Sequence, residues 1–279
     1  APPRKAIADG YALLSELGAV DDDNTLTDIG RQLARLPLDP RVGRMILEAV
    51  KRQALTEVLV IASALSGQDV RDRPLDQQQA ADEKHKPFDD EKSEFMGYLK
   101  LWKWIEEGRG HGEGTAHPHK LSNRQQDQRL RERFVSPRRV REWRDIHSQL
   151  HTVVAEHGWR LNTAPATYEQ VHLAMLAGLL GNIGCKSEDE DWYLGARGIK
   201  FWRHPGAHLS KKPGRWLVAA ELVETTRLFG RGLAAIEPTW IPAIAGHLLK
   251  TQLLEPHWEK KAGEVVALER ATLYGIVVY

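Results

Sequence analysis

Cysteine is almost missing, because Cys185 stands alone in a chain of 279 residues. A lone thiol forms neither an internal disulfide nor a thiolate metal cluster, and this usage fits a reducing, cytoplasmic compartment. Long apolar runs are missing as well. The longest, VHLAMLAGLLGNIG from Val171, is interrupted by His172, and it is too short to cross a bilayer, so neither a membrane span nor an export signal is expected. An excess of charge of one sign is also lacking, with 39 Lys and Arg against 38 Asp and Glu and a formal net charge of +1. Any argument for a polyanionic partner therefore rests on where the cations sit.

The usual signatures of covalent chemistry are absent too. There is no G-x-x-x-x-G-K-[ST] phosphate loop and no G-x-S-x-G elbow. GARGIK, from Gly195, has neither the length nor a Ser or Thr after Lys200. GRGHGEG, from Gly108, follows a helical pattern and opens none, so it reads as a surface loop. His111, His117 and His119 have no second ligand cluster beside them, which favours a solvated loop over an ion site. Acidic clusters at Asp21 to Asp23, Asp89 to Glu91 and Glu188 to Asp191 adjoin turns or helix starts, where carboxylates act as caps. The expectation is no catalytic residue, no metal ligand and no cofactor within this chain.

What remains is a soluble globular composition, 42% hydrophobic and 28% charged, long enough for two or three modest domains. The chain opens Ala-Pro-Pro and closes at Tyr279 in a strand-like run, and is read as a piece of a longer protein. Apolar Ile7, Tyr11, Leu14 and Leu17 with Gly18 behind them predict a helix and its stop. Thr27 is a plausible N-cap for TDIGRQLARL, and Pro40 precedes a third helical pattern. With a hairpin over Ala19 to Leu26 these elements resemble most of a winged helix, and on pattern alone a plain helical pair stays equally open. Ala54 to Ser66 reads as a buried helix ended by Gly67. Asp89 or Asp90 is expected to cap a helix presenting Phe95, Leu99, Trp102 and Ile105, and Ser136-Pro137 to start another reaching Gly158. Asn162 to Ala166 reads as a linker.

Beyond Thr167 a helix ends near Gly181 and the pattern turns to period two. Tyr193 to His204, Arg215 to Glu224 and Leu228 to Ile236 alternate or run as β-prone segments with Gly and Pro between them, and Glu237-Pro238 reads as the start of a helix through Leu249. A small closed OB-like barrel fits this pattern, with an open sheet packed on helices as its competitor. The fold class expected is multidomain α+β: a mostly helical N-terminal two-thirds, made of a partial winged helix and a helical bundle, then a small OB-fold-like β-barrel.

The charge that the whole chain hides lies here. Between Tyr193 and Arg231 the eight cations are Arg197, Lys200, Arg203, Lys211, Lys212, Arg215, Arg227 and Arg231, against only Glu221 and Glu224. The arginines from Arg124 to Arg144 interleave with Asp127, Glu132, Glu142 and Asp145, so a solvated face is their simpler reading. The loop after Trp202 differs, because His204, His208, Ser210, Lys211 and Lys212 have no neighbouring acids. On residues alone, phosphate contact and a plain loop stay equally open for it.

The order of LGAVDDDNTLTDIGRQLARLPLDPRVGRMI, LTEVLVIASALSGQDVRDRP, RRVREWRDIHSQL, HLAMLAGLLGNIG, RHPGAHL and WLVAAELVETTR resembles the C-terminal region of DEAH-box RNA helicases. The bacterial HrpA type is the nearest likeness, since it also shares the later EPHWE. The resemblance covers essentially the whole chain. It implies a winged helix over residues 1–43, a helical ratchet-like bundle over 44–165, an OB-fold over 166–254 and the start of an extension over 255–279. It further implies that ATP and Mg are handled by preceding RecA-like domains, whose motifs this sequence lacks, and that these domains and single-stranded RNA are the partners. DNA is a second possible strand. Arg203, His204, Lys211, Lys212 and Arg215 would line the strand exit, with Lys200 and Arg227 beside them, Trp202 or His208 stacking a base, and Ser210 supplying a hydroxyl. Many family members carry two serines after the His-Pro of this loop, whereas this chain has Gly206 and Ala207, so it lacks the hydroxyls those serines would offer. The rival reading is a protein-interaction platform for a regulator or the ribosome, and an independent enzyme comes third.

Overall fold

Helix α1 (Arg4–Glu16) ends where the Gly18 backbone turns left-handed, at φ 73°. Glycine adopts that conformation without the Cβ clash other residues meet. Val20 then bridges Leu26, so the expected hairpin is reduced to a single pairing. Thr27 caps α2 (Asp28–Ala34) by accepting from the Gly30 amide, while its hydroxyl donates to the Gly18 carbonyl at 2.6 Å. Gly30 is needed there because a Cβ would lie 2.0 Å from the Ala19 carbonyl oxygen. Helix α3 (Pro40–Arg52) follows. The computed structural model describes residues 1–111, 120–207, 209 and 213–279. They fall into two compact units, one of 1–44, 176–205 and 214–279, the other of 45–175 with the described residues of 206–213.

The first unit joins the N-terminal helices to a closed barrel. Its strands are β1 (Ile183–Lys186), β2 (Trp192–Leu194), β3 (Lys200–Arg203), β4 (Trp216–Glu224) and β5 (Leu228–Ala235). They run in the order β1-β2-β3-β5-β4, with β1 closing on β4 and only β3–β5 parallel. This is the five-stranded barrel expected of an OB-fold, and the open-sheet alternative is excluded. Phe201 and Tyr193, both fully buried, stack inside it at 5.6 Å. Closing so small a barrel around a phenyl ring requires glycine opposite, because a Cβ on Gly184 would fall 2.4 Å from the Phe201 ring. Arg41 reaches Glu16 at 2.5 Å and the Gly178 carbonyl at 3.0 Å, and His247 contacts the Glu16 carbonyl at 2.9 Å, which ties α1 and α3 to the segments that precede and follow the barrel strands.

Two expectations are corrected here. Tyr193 to His204 is not one strand but β2 and β3, separated by a turn at Ala196–Gly198 in which Arg197 and Gly198 take φ 57° and 75°. Alternating side chains carry no information about such a reversal. The helix expected through Leu249 is the short α10 (Trp240–Ala245), after which the chain forms β6 (Leu249–Glu259), β7 (Glu264–Leu273) and β8 (Ile276–Val277) as a separate sheet. Ala271 and Leu273 are buried, giving that sheet its inner end.

The second unit is a bundle of α4 (Leu55–Ser66), α5 (Gln78–His85), α6 (Glu94–Gly108), α7 (Asn123–Glu132), α8 (Pro137–Glu156) and most of α9 (Tyr168–Ala177). Val60, Leu101, Ile105, Leu130, Val140 and Trp143 form its core. The Trp143 indole donates to the Val60 carbonyl and Ser63 hydroxyl at 3.2 and 3.0 Å, so its one polar atom is satisfied inside. Ser136 caps α8 as expected. The cap of α6 is Ser93, not Asp89 or Asp90, because Asp90 is spent one step earlier, accepting from the Lys92 and Ser93 amides. The Asn162 to Ala166 linker is pinned rather than free. Asn162 accepts from the Thr56 amide at 2.8 Å and donates to Glu57 at 2.7 Å.

Candidate nucleic-acid interface

The candidate residues lie on and around β3. Strand alternation sends Phe201 into the barrel and Lys200 and Trp202 to its outer face. Trp192 of β2 is the register partner of Trp202, and Phe229 of β5 is its partner on the other side. Three aromatic side chains therefore cross neighbouring strands in one outer row. Cations cover two of the rings: the Lys200 ammonium lies 4.4 Å from the Trp192 centroid and the Arg227 guanidinium 4.8 Å from that of Trp202. His204 meets the Phe229 edge at 5.8 Å, and its amide donates to the Gly230 carbonyl. The Trp192 indole is held by Glu190 at 2.6 Å.

The same two-residue period separates Arg203 from Trp202. Arg203 pairs in register with Gly230, on the side of Phe201, and its charge opposes the burial that raises the Tyr193 hydroxyl to about 12. Arg215 is exposed at the start of β4, where its carbonyl accepts from the Lys186 amide. His208, Ser210, Lys211 and Lys212 lie outside the described residues, as do His117 and His119. His111 contacts Glu106 at 3.0 Å. Of the other cations in the stretch, Arg231 faces Glu221 across the β4–β5 ladder at 3.7 Å and Arg197 stacks on Tyr274 at 4.4 Å. Both are therefore committed within the fold.

Sequence reasoning missed Trp192 and Phe229. Phe229 lies in a segment read as β-prone and Trp192 just before another, but only the register of three strands brings them beside Trp202. The cation–π contacts over Trp192 and Trp202 are worth about 0.5–1 kcal/mol each at exposed sites. A nucleobase stacked on an aromatic ring gains about 1–3 kcal/mol. Among the described residues, no group of three or more His, Cys, Asp and Glu could hold a metal ion. No helix among them is long and apolar enough to cross a membrane.

Comparison with known proteins agrees with this architecture. Residues 171–248 match the oligonucleotide/oligosaccharide-binding (OB)-fold family, residues 12–38 the winged-helix part of the helicase associated domain HA2, and residues 39–100 its ratchet-like part. The chain is 45% identical over its full length to the ATP-dependent RNA helicase HrpA of Escherichia coli, of which it covers 21%. It is 44% identical to the HrpA homolog of Haemophilus influenzae, again over the full chain and 21% of that protein. The pre-mRNA-splicing factor ATP-dependent RNA helicase prp22 of Schizosaccharomyces pombe is 23% identical over 89% of this chain and 20% of its own length. The chain thus spans about a fifth of the length of the curated relatives it matches. With the winged-helix, ratchet-like and OB-fold matches in that order, the chain is homologous to the C-terminal region of the HrpA-type DEAH-box RNA helicases.

Proposed function

We propose that this chain is the RNA-binding accessory module of an ATP-dependent RNA helicase, working in a cytoplasmic setting and gripping a single strand. ATP and Mg are then bound by RecA-like domains elsewhere in the longer protein, and these domains are its partners in cis. The observation that carries the reading is the outer row of Trp192, Trp202 and Phe229 with Lys200 and Arg227 laid on the rings. Alternating rings and cations suit a strand whose bases and phosphates alternate, and they discriminate little between bases. Lys200, Trp202, Arg203, His204, Arg215 and Arg227 are the proposed contacts, with His208, Ser210, Lys211 and Lys212 extending them. The proposed division of the chain is 1–43, 44–165, 166–254 and 255–279, as winged helix, ratchet-like bundle, OB-fold and start of an extension.

The test is titration of a labelled single-stranded RNA with the chain and with Trp202→Ala. Loss of one stacking platform should weaken binding by roughly one to two orders of magnitude. Unchanged affinity in a variant that melts like the parent would sink the assignment. A second reading, a protein-docking platform, is favoured by one observation. Trp258 and Val265, paired across β6 and β7, are 60% and 67% exposed. On that reading Trp202→Ala leaves RNA affinity unchanged, so the same titration separates the two.

A further inference from the structure

The bundle carries a second cluster of cations, on elements the barrel does not use. A cleft of about 420 Å³ opens where residues 72–74 run beside the turn between α7 and α8. Its scaffold is held from several sides. Arg71 bridges Val135, the Asp72 amide donates to the Phe134 carbonyl at 2.7 Å, the Ser136 amide donates to the Val70 carbonyl at 2.8 Å, and His85 reaches the same Phe134 carbonyl at 2.9 Å. These bonds hold Phe134 at φ 52°, a left-handed conformation that a bulky side chain rarely takes. A strained residue persists only where its surroundings over-determine it, and such residues gather at binding sites.

Three arginines from three segments line this cleft: Arg73, Arg131 and Arg139. Asp82 takes Arg73 in a two-pronged contact at 2.8 and 2.9 Å, and Asp72 takes Arg139 at 3.2 Å. Arg131 is exposed and makes no ion pair among the described residues. Asp72 of the lining and Asp82 beside it therefore neutralise two of the three lining cations and leave one over. A guanidinium also has five N–H donors, so the Asp82 fork leaves Arg73 with donors to spare. By contrast, the slot beside Trp143 and Tyr98 admits only about 10 Å³, too little for a nucleotide.

We infer that this cleft is a second nucleotide site, in which Arg131, Arg73 and Arg139 take a phosphate and the half-buried Phe134 ring stacks the attached base. Arginine forks match phosphate geometry, and a cleft of this size accommodates one nucleotide. That the nucleotide belongs to an RNA strand rests on the function proposed above; the anion chemistry does not.

The experiment uses the full chain, a labelled single-stranded RNA and four variants. Arg131→Gln removes the excess cation, and Phe134→Gly removes the ring at a backbone angle glycine prefers. Arg138→Gln is the control, an exposed arginine on α8 paired with Glu142. Lys200→Gln reports the barrel. Arg131→Gln should weaken binding about tenfold and lower the log–log salt slope by about 0.7, the change for one phosphate of a single strand. Phe134→Gly should weaken binding without changing that slope. If both bind like Arg138→Gln, the cleft proposal is overturned, and a loss in Lys200→Gln then shows the barrel reading standing alone. If Arg131→Gln and Phe134→Gly lose affinity while Lys200→Gln does not, the cleft stands and the barrel contact falls.

Discussion

His172 shows how one side chain couples burial, tautomer and pH. Fully buried, it stacks on Tyr168 at 3.6 Å, and its Nδ1 lies 2.7 Å from the Tyr168 carbonyl. That nitrogen must carry the proton, so Nε2 accepts from the Ser93 hydroxyl at 2.6 Å. Burial lowers the imidazole to about 4, against the weaker opposing effects of the Tyr168 carbonyl and Asp90. The unfolded ring titrates near 6.5, so the unfolded chain binds more protons between those values. Stability from this group is therefore fully present above about pH 6.5 and is lost as pH falls toward 4. Denaturant unfolding at pH 7 and pH 5 should differ by about 2 kcal/mol from this group, and His172→Gln should remove that part of the difference. An unchanged pH dependence in the variant would show that His172 is not its source.

At the scale of elements, the same contact explains how α6 and α9 are joined. Ser93 Oγ accepts from the Phe95 and Met96 amides and donates to His172, so a single hydroxyl caps one helix and anchors another. Ser93→Ala should cost about 1 kcal/mol for the cap and about 1–3 kcal/mol for the orphaned ring nitrogen. Chemical denaturation checks the sum, and a loss below about 1 kcal/mol would mean that α9 is held by packing alone. The sequence points to Asp89 or Asp90 for this cap because three candidate capping residues precede α6 within five positions. Only the turn built by Asp90 shows which of them reaches the first helical amides.

Across the whole molecule, a net charge of +1 conceals local fields. If the barrel row and its loop neutralise about four phosphates, the log–log salt slope is near −3, and a fourfold rise in salt weakens RNA binding roughly sixty-fold. A slope near zero would remove the electrostatic part of the proposal. RNA binding by this chain should also be independent of ATP, because hydrolysis is assigned to domains outside it. A purified chain that hydrolysed ATP in the presence of RNA would contradict that division of labour.

Local chemistry made much of this fold readable. Glycine stops at Gly18, Gly67 and Gly158, caps at Thr27 and Ser136, and the change from period 3.6 to period two placed most helices and the barrel strands β4 and β5. The basic stretch was visible as composition, and the family resemblance as an ordered series of segments. Reversals and registers were not legible. The left-handed pair Arg197 and Gly198 splits β2 from β3, and no periodicity encodes that break. Trp192, Trp202 and Phe229 are separated along the chain and become one row only through hydrogen-bonded register. Arg73, Arg131 and Arg139 converge where Arg71 bridges Val135, a pairing of residues far apart in the chain. Sequence by itself determined where segments start, stop and bury a face, since those are short-range effects of backbone conformation and apolar spacing. Tertiary structure alone decided which rings and charges meet, because cross-strand register and chain reversal are long-range pairings that no local pattern specifies.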